Sequence, residues 1–273
     1  MGILDIPIIE KFIRLCQDGW ELGWHERNGG NLTYRLAPAE LEAGRAFLGG
    51  PGSWVALGVS AKALAGEYFI TTGSGKHFRN VKHDPESNIG LVEINQAGDS
   101  YRIVWGLKGG AVPTSELPTH FLNHAVRHLA SKGLDRVIYH AHPPNLIALT
   151  YVLPLTARDF TRALWQSATE CCVVFPAGVG LIPWMIPGGA EIAQATSQQM
   201  KDHAAVVWPH HGLFCSGPNF DETLGLMHTI EQAAKIFVKV SSTGLTTLST
   251  ITDDHLRAMA AAFKITLNES FLN

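Results

Sequence analysis

Apolar positions along the chain switch between two spacings, one suited to helices and one to strands. Ile8, Phe12, Leu15, Trp20 and Trp24 recur at a loosely helical interval, so residues 6–24 read as an opening amphipathic helix. ERNGGNLTYRL (26–36) joins a glycine-rich turn to a strand, and EYFITTGSGKHFRN (67–80) joins a strand to a polar loop. LVEIN and YRIVW flank the turn QAGDS, a hairpin signature. Residues 37–65 carry weak periodicity and receive no assignment.

TSELPTHFLNHAVRHLASKG (114–133) predicts a helix of about four turns, with Thr114 or Ser115 as cap, Pro118 in the first turn and Gly133 at the end. DRVIYHAH (135–142) reads as a strand, PPNLIALTYV and RDFTRALWQ as helices, CCVVF and VGLIP as strands. EIAQATSQQMKDH reads as a helix and AVVWPHHGLFCSG as a strand region. DETLGLMHTIEQAAKIFVKVSS predicts a long helix capped by Asp221, and a last helix starts from Thr252. This alternation, without repeat or linker, predicts one α/β domain over residues 1–273 with helices on both faces of a sheet. The hairpin at 91–105 means the sheet is not wholly parallel.

Composition changes this picture little. The 273 residues are 46% hydrophobic and 16% charged, which supplies a substantial core. A formal net charge of −3 with no block of like charge argues against nucleic acid or an acidic membrane as partner. No apolar run approaches the roughly 18 residues of a membrane span. The N-terminus lacks a basic region before a long apolar run, and Ile6 stands where a myristoylation pattern wants Ser or Thr. Cys16, Cys171, Cys172 and Cys215 form no C-x-x-C pair, so reduced, buried thiols in a cytoplasmic protein are expected.

The candidate chemistry begins with His140 and His142. Positions i and i+2 of a strand share a face, so two neutral imidazoles could reach one cation. On spacing alone H-x-H is a modest signal. WPHHGLF (208–214) offers a third imidazole, and only one of His210 and His211 can share the ligand face. Three histidines with an open position would make a catalytic zinc site. His120, His124 and His128 recur at helical spacing, where a polar stripe on a surface helix is the expectation.

Two glycine-rich segments, Asn28–Thr33 and Thr71–Lys76, have the small residues, hydroxyls and amides that can cradle a phosphate, and with Thr114 and Ser115 could form one anion pocket. Neither matches a nucleotide-binding glycine motif. Glu116, just before a helix, is either a helix-dipole partner or a general acid/base. Glu170 enters an apolar stretch, where burial could raise its pKa, although a salt bridge at a loop or subunit boundary is the plainer account.

Taken in order, ERNGGNLTYRL, TTGSGKHFRNV, WGL, AVPTSELPTHF, VIYHAHPPNLIALTYV, TECCVVFPAGVGLIPWMIPG and WPHHGLFCSGPNFDETLGL resemble the class II aldolase/adducin family. The resemblance runs from about residue 17 to the final helix. It implies a three-layer α/β/α domain with a mostly antiparallel central sheet, assembled as a cyclic homotetramer with active sites between subunits. The implied reaction is reversible cleavage of L-rhamnulose 1-phosphate to dihydroxyacetone phosphate and L-lactaldehyde. His140, His142 and His211 would hold one Zn²⁺ per subunit, and the resemblance is what selects His211 over His210. Glu116 would be the acid/base, with Asn28, Gly30, Asn31, Ser74, Gly75, Thr114 and Ser115 on the phosphate side. Glu170 would reach the neighbouring subunit's site. Fuculose-1-phosphate aldolases, 4-epimerases and dehydratases share the three-histidine logic, whereas a non-catalytic adducin-like scaffold would lose it. The pair Pro143-Pro144 and the extra imidazole of His210 have no assigned role.

Overall fold

The computed structural model describes residues 2–50 and 52–273; Met1 and Pro51 lie outside the described residues, Pro51 within the unassigned 37–65 stretch. Among the described residues the strands are β1 Asn31–Arg35, β2 Val55–Ala56, β3 Tyr68–Thr72, β4 Ile89–Ile94, β5 Ser100–Gly106, β6 Val137–Ala141, β7 Gly180–Leu181, β8 Ala205–Trp208 and β9 Gly212–Gly217. The first helices are α1 Pro7–Glu21, α2 Pro38–Gly44, α3 Phe78–Val81, α4 Pro85–Asn88, α5 Leu117–Ala130 and α6 Pro144–Leu149. They are followed by α7 Ala157–Trp165, α8 Cys171–Val174, α9 Ala190–Gln199, α10 Phe220–Ser241 and α11 Asp253–Phe263.

The strands form one sheet in the order β2-β5-β4-β3-β1-β6-β9-β8-β7, antiparallel at every pairing except β7 with β8. Alternation along each strand sends neighbouring side chains to opposite faces. Leu32, Tyr34, Val137, Tyr139, Ala141, Leu213 and Cys215 join the main core beneath α1, α3, α6, α7, α8, α10 and α11. On the other face Phe69, Val92 and Ile94 pack with Leu117 and Phe121 of α5, while Ile138, Val206, Trp208 and Phe214 pack with Ile192 of α9. The three-layer α/β/α arrangement with a mostly antiparallel sheet therefore holds. The register Asn31↔His140 and His140↔Phe214 places β1, β6 and β9 side by side at the centre of the sheet.

Several local expectations are corrected. CCVVF is not a strand: Cys171–Val174 form α8, because a short apolar run looks the same for a buried strand and a buried helical turn. VGLIP contributes only the two-residue β7. Glu116, not Thr114 or Ser115, is the N-cap residue of α5, and the Thr114 hydroxyl instead accepts from the Glu116 N–H at 3.3 Å. Asn219, not Asp221, caps α10, its side chain accepting from the Glu222 N–H. The unassigned stretch holds α2, β2 and short 3-10 turns.

The proline pair has a structural account. Pro143 is the N-cap residue of α6 and Pro144 opens the helix, so neither presents an N–H that would need a partner. The next two N–H groups, of Asn145 and Leu146, donate to the carboxylate of Glu231 on α10 at 3.0 and 2.9 Å, and the Asn145 side chain adds a third bond at 2.6 Å. A carboxylate from a neighbouring helix thus supplies the cap that the prolines cannot make, and it anchors the chain immediately after His142. Glu231→Ala should lower unfolding free energy by about 2–4 kcal/mol, because the buried Leu146 N–H and the half-buried Asn145 N–H lose their acceptor. Asp221→Ala, at an exposed non-capping position, should stay within about 0.5 kcal/mol. Denaturant midpoints measure both, and equal small effects would contradict this account.

Candidate active site

β6 ends by pointing His140 toward the α5 face, and His142 follows one step beyond the strand. The β8–β9 hairpin turns through Pro209, His210 and His211, with His210 in the left-handed region at φ 61°. That turn carries the His210 ring away, where it meets Thr150 at 3.0 Å and packs on Tyr151, and leaves His211 facing the other two imidazoles. Gly212 is required at this junction: a Cβ there would lie 2.4 Å from the Ala141 carbonyl oxygen and 3.0 Å from the His140 ring. Ligand atoms of His140, His142 and His211 all lie within 4.8 Å of one another.

The outer nitrogens are already occupied. His140 Nδ1 donates to the Leu213 carbonyl at 3.1 Å, and His142 Nδ1 donates to Glu26 Oε1 at 2.7 Å. These bonds fix the tautomers and leave both Nε2 atoms bare, buried and without a partner. Burial, with His211 and His142 beside it, pushes His140 well below the usual imidazole range, and burial pushes His211 down to about 4. Three imidazoles whose ligand atoms converge in this way fit a divalent cation of the zinc type. Glu26 was not singled out from sequence. Its role follows from the β1–β6 register, which no local pattern in ERNGGN discloses.

Glu116 lies alongside, its Oε2 3.8 Å from His140 Nε2. With His140 neutral this approach is not an ion pair. Burial raises the Glu116 pKa, and a hydrogen bond from Asn31 Nδ2 at 2.9 Å opposes that rise. The expected surface stripe on α5 is overturned: His120 and His124 are buried against the sheet and bonded to Thr33, and His120 also to Asn31. His25 is a further unanticipated part. It is buried, stacks on Phe78, and bonds the Gly29 carbonyl at 2.9 Å and the Tyr139 hydroxyl at 2.7 Å, tying the first glycine-rich loop to α3 and β6. Gly30, at φ +74°, sits so close to His25 and the His140 carbonyl that no side chain fits.

These elements enclose a cavity of about 160 Å³. Asn28, Gly30 and Asn31 line it from one loop, Ser74 and Gly75 from the second, Thr114, Ser115 and Glu116 from the turn before α5, and the three histidines from below. Glu170 is elsewhere. It is exposed at the start of α8 beside His228 and Gln232, so the alternative of a buried carboxylate does not hold within one chain.

A family model described as the class II aldolase and adducin N-terminal domain matches residues 10–238. The chain belongs to that family. Among its relatives, a rhamnulose-1-phosphate aldolase of Klebsiella pneumoniae subsp. pneumoniae is 49% identical over 271 residues, covering 99% of this chain and 98% of the relative. A rhamnulose-1-phosphate aldolase of Salmonella typhimurium is 50% identical over 265 residues, covering 97% and 96%. A sugar-phosphate aldolase structure from Thermotoga maritima superposes with a TM-score of 0.72 at 25% identity, covering 89% of this chain and 98% of that one. An L-fuculose 1-phosphate aldolase structure shares the fold with a TM-score of 0.60 at 20% identity, covering 94% and 96%. Class II aldolases are metal-dependent, and the histidine cluster is a place where a metal could bind.

Glu26→Ala should weaken metal binding by about 10–100-fold in a chelator competition while the three histidines remain; unchanged affinity would show that the carboxylate does not orient His142. The buried histidines also set an acid limit. Burial pushes His25 and His120 down to about 3, below the roughly 6.5 of an unfolded histidine. Unfolding therefore takes up protons between these values, so this contribution is complete above pH 6.5 and is lost as pH falls. Each group steepens the loss by up to about 1.4 kcal/mol per pH unit, with Glu116 acting in the opposite sense. Metal-free protein should unfold at lower denaturant at pH 5 than at pH 7, and the reverse order would contradict the assignment.

Proposed function

We propose that this chain is a zinc-dependent aldolase that reversibly cleaves L-rhamnulose 1-phosphate to dihydroxyacetone phosphate and L-lactaldehyde. The observation that carries the proposal is near end-to-end identity of 49–50% with proteins named rhamnulose-1-phosphate aldolase. The cleft supplies a matching chemistry. His140, His142 and His211 would hold the cation, the first two through bare Nε2 atoms. A cation bound there stabilises, as a Lewis acid, the negative charge that develops on the ketose oxygens.

The chain's own groups do the rest. Asn28, Gly30, Asn31, Ser74, Gly75, Thr114 and Ser115 form the phosphate side of the cavity, where remote binding positions the reacting carbons. Glu116 takes and returns the proton at the carbon that becomes nucleophilic. Burial brings its pKa toward the working range, as a carboxylate acid/base requires. The proposal further takes residues 1–273 as one domain, the assembly as a homotetramer, and Glu170 as a catalytic group delivered to a neighbouring subunit's site. Exposure of Glu170 on its own chain leaves it free for that. A cytoplasmic location fits the four free, buried thiols.

Glu116→Gln should retain about one zinc per chain and lose at least 100-fold in cleavage rate. Chelator treatment should abolish cleavage, and full activity in metal-stripped enzyme would contradict the mechanism. Assays against L-fuculose 1-phosphate and L-ribulose 5-phosphate test the substrate: rhamnulose 1-phosphate should be cleaved fastest, and preference for either of the others would overturn the assignment.

A further inference from the structure

Behind Glu116 runs a buried row of polar side chains, of which the proposed mechanism uses only Asn31. Asn31 and Thr33 occupy alternate positions of β1 and share one face. Glu116, His120 and His124 recur every four residues at the start of α5 and along one side of it. Two steps of a strand cover about 6.6 Å and four steps of a helix about 6.0 Å, so the two rows mesh. Asn31 Nδ2 meets Glu116 Oε2 at 2.9 Å, Asn31 Oδ1 meets His120 Nε2, and Thr33 Oγ1 lies 2.7 Å from His120 Nδ1 and 2.8 Å from His124 Nε2. Aromatic rings close the row from outside, Phe214 against His120 and Phe69 against His124.

An ionised carboxylate permits only one direction of donation through these contacts. A carboxylate only accepts, so the Asn31 amide must present N–H to Glu116 and its oxygen to His120. His120 Nε2 then carries the hydrogen and donates. Its bare Nδ1 accepts the Thr33 hydroxyl, and the Thr33 oxygen, its only hydrogen committed, accepts from His124 Nε2. Every partner is forced by the one before it. Burial pushes His120 down to about 3 and His124 well below the usual range, in keeping with the two neutral rings this requires.

We propose that His124, Thr33, His120 and Asn31 form a directed hydrogen-bond relay whose purpose is to hold the Glu116 carboxylate in its working orientation. His120 and Thr33 are thus positioning residues that act through Asn31. The relay rests on the reading of Glu116 as the acid/base. Reversal of the relay would turn the Asn31 oxygen onto an ionised Glu116, so the polarity of the buried row and the charge on the carboxylate select each other.

The test uses the zinc-loaded enzyme and solvent-proton exchange at the hydroxymethyl carbon of dihydroxyacetone phosphate, which needs the acid/base but no aldehyde. Glu116→Gln should abolish exchange; if it does not, the reading of Glu116 fails, and the relay with it. Given that loss, Thr33→Val, which keeps the shape and removes the hydroxyl, should lower kcat and exchange about tenfold at unchanged KM and zinc content. Thr33→Ser, which restores the hydroxyl, should stay within about twofold of the parent. Parental rates in Thr33→Val, or an equal loss in Thr33→Ser, would overturn the proposal while leaving the role of Glu116 intact. Should Thr33→Val not fold, nitrogen-15 imidazole spectra of the unaltered enzyme decide. Hydrogens on Nε2 of both neutral His120 and neutral His124 support the relay, and a hydrogen on His120 Nδ1 refutes it.

Discussion

The candidate site depends on one pairing, that of β6 with β9. Ala141 opposite Leu213 and His140 opposite Phe214 bring the end of one strand against the start of the next. From this register the Leu213 carbonyl takes the His140 Nδ1 hydrogen, Phe214 stacks on the His140 ring, and the hairpin before Gly212 sets down His211. A slip of one residue in β6 would turn His140 to the opposite face, toward the main core, and the three nitrogens would no longer converge. The apolar alternation on both strands guards against that slip, since Val137, Tyr139, Leu213 and Cys215 would have to leave the main core.

Burial gives the same residues their chemistry. Removing imidazoles from water keeps them neutral and ligand-competent, whereas removing a carboxylate from water raises its affinity for a proton. Both effects meet where His140 and Glu116 face each other. The cost of burying so many polar groups is offset by bonds among them. Glu26 holds His142, Leu213 holds His140, and Asn31 holds Glu116. At the cation site the Nε2 atoms of His140 and His142 stay bare, which fits a place where the chain expects something other than itself.

Elements with strong local patterning were legible in the sequence. The opening helix, the 89–106 hairpin, the four-turn helix before Gly133 and the long helix after Asn219 all follow from periodicity and punctuation. Strand spacing put His140 and His142 on one face, whereas His211 over His210 and Glu116 as the acid/base beside them came only through the family resemblance. What escaped depends on contacts between segments distant in sequence. Glu26 meets His142 only through a strand register, and Glu231 caps α6 from another helix. His120 and His124 read as a surface stripe because helical spacing tells which residues share a face, not whether that face meets water. CCVVF failed for a related reason, since uniform burial erases the periodicity that separates a strand from a helical turn.

The central claim is that one ring nitrogen from each of His140, His142 and His211 converges on one cation. X-ray absorption at the zinc edge, on protein loaded with a single equivalent, addresses it most directly. The account predicts three imidazole nitrogens at about 2.0–2.1 Å with the remaining ligands oxygen. Fewer than three imidazoles, or a sulfur at about 2.3 Å, would contradict it.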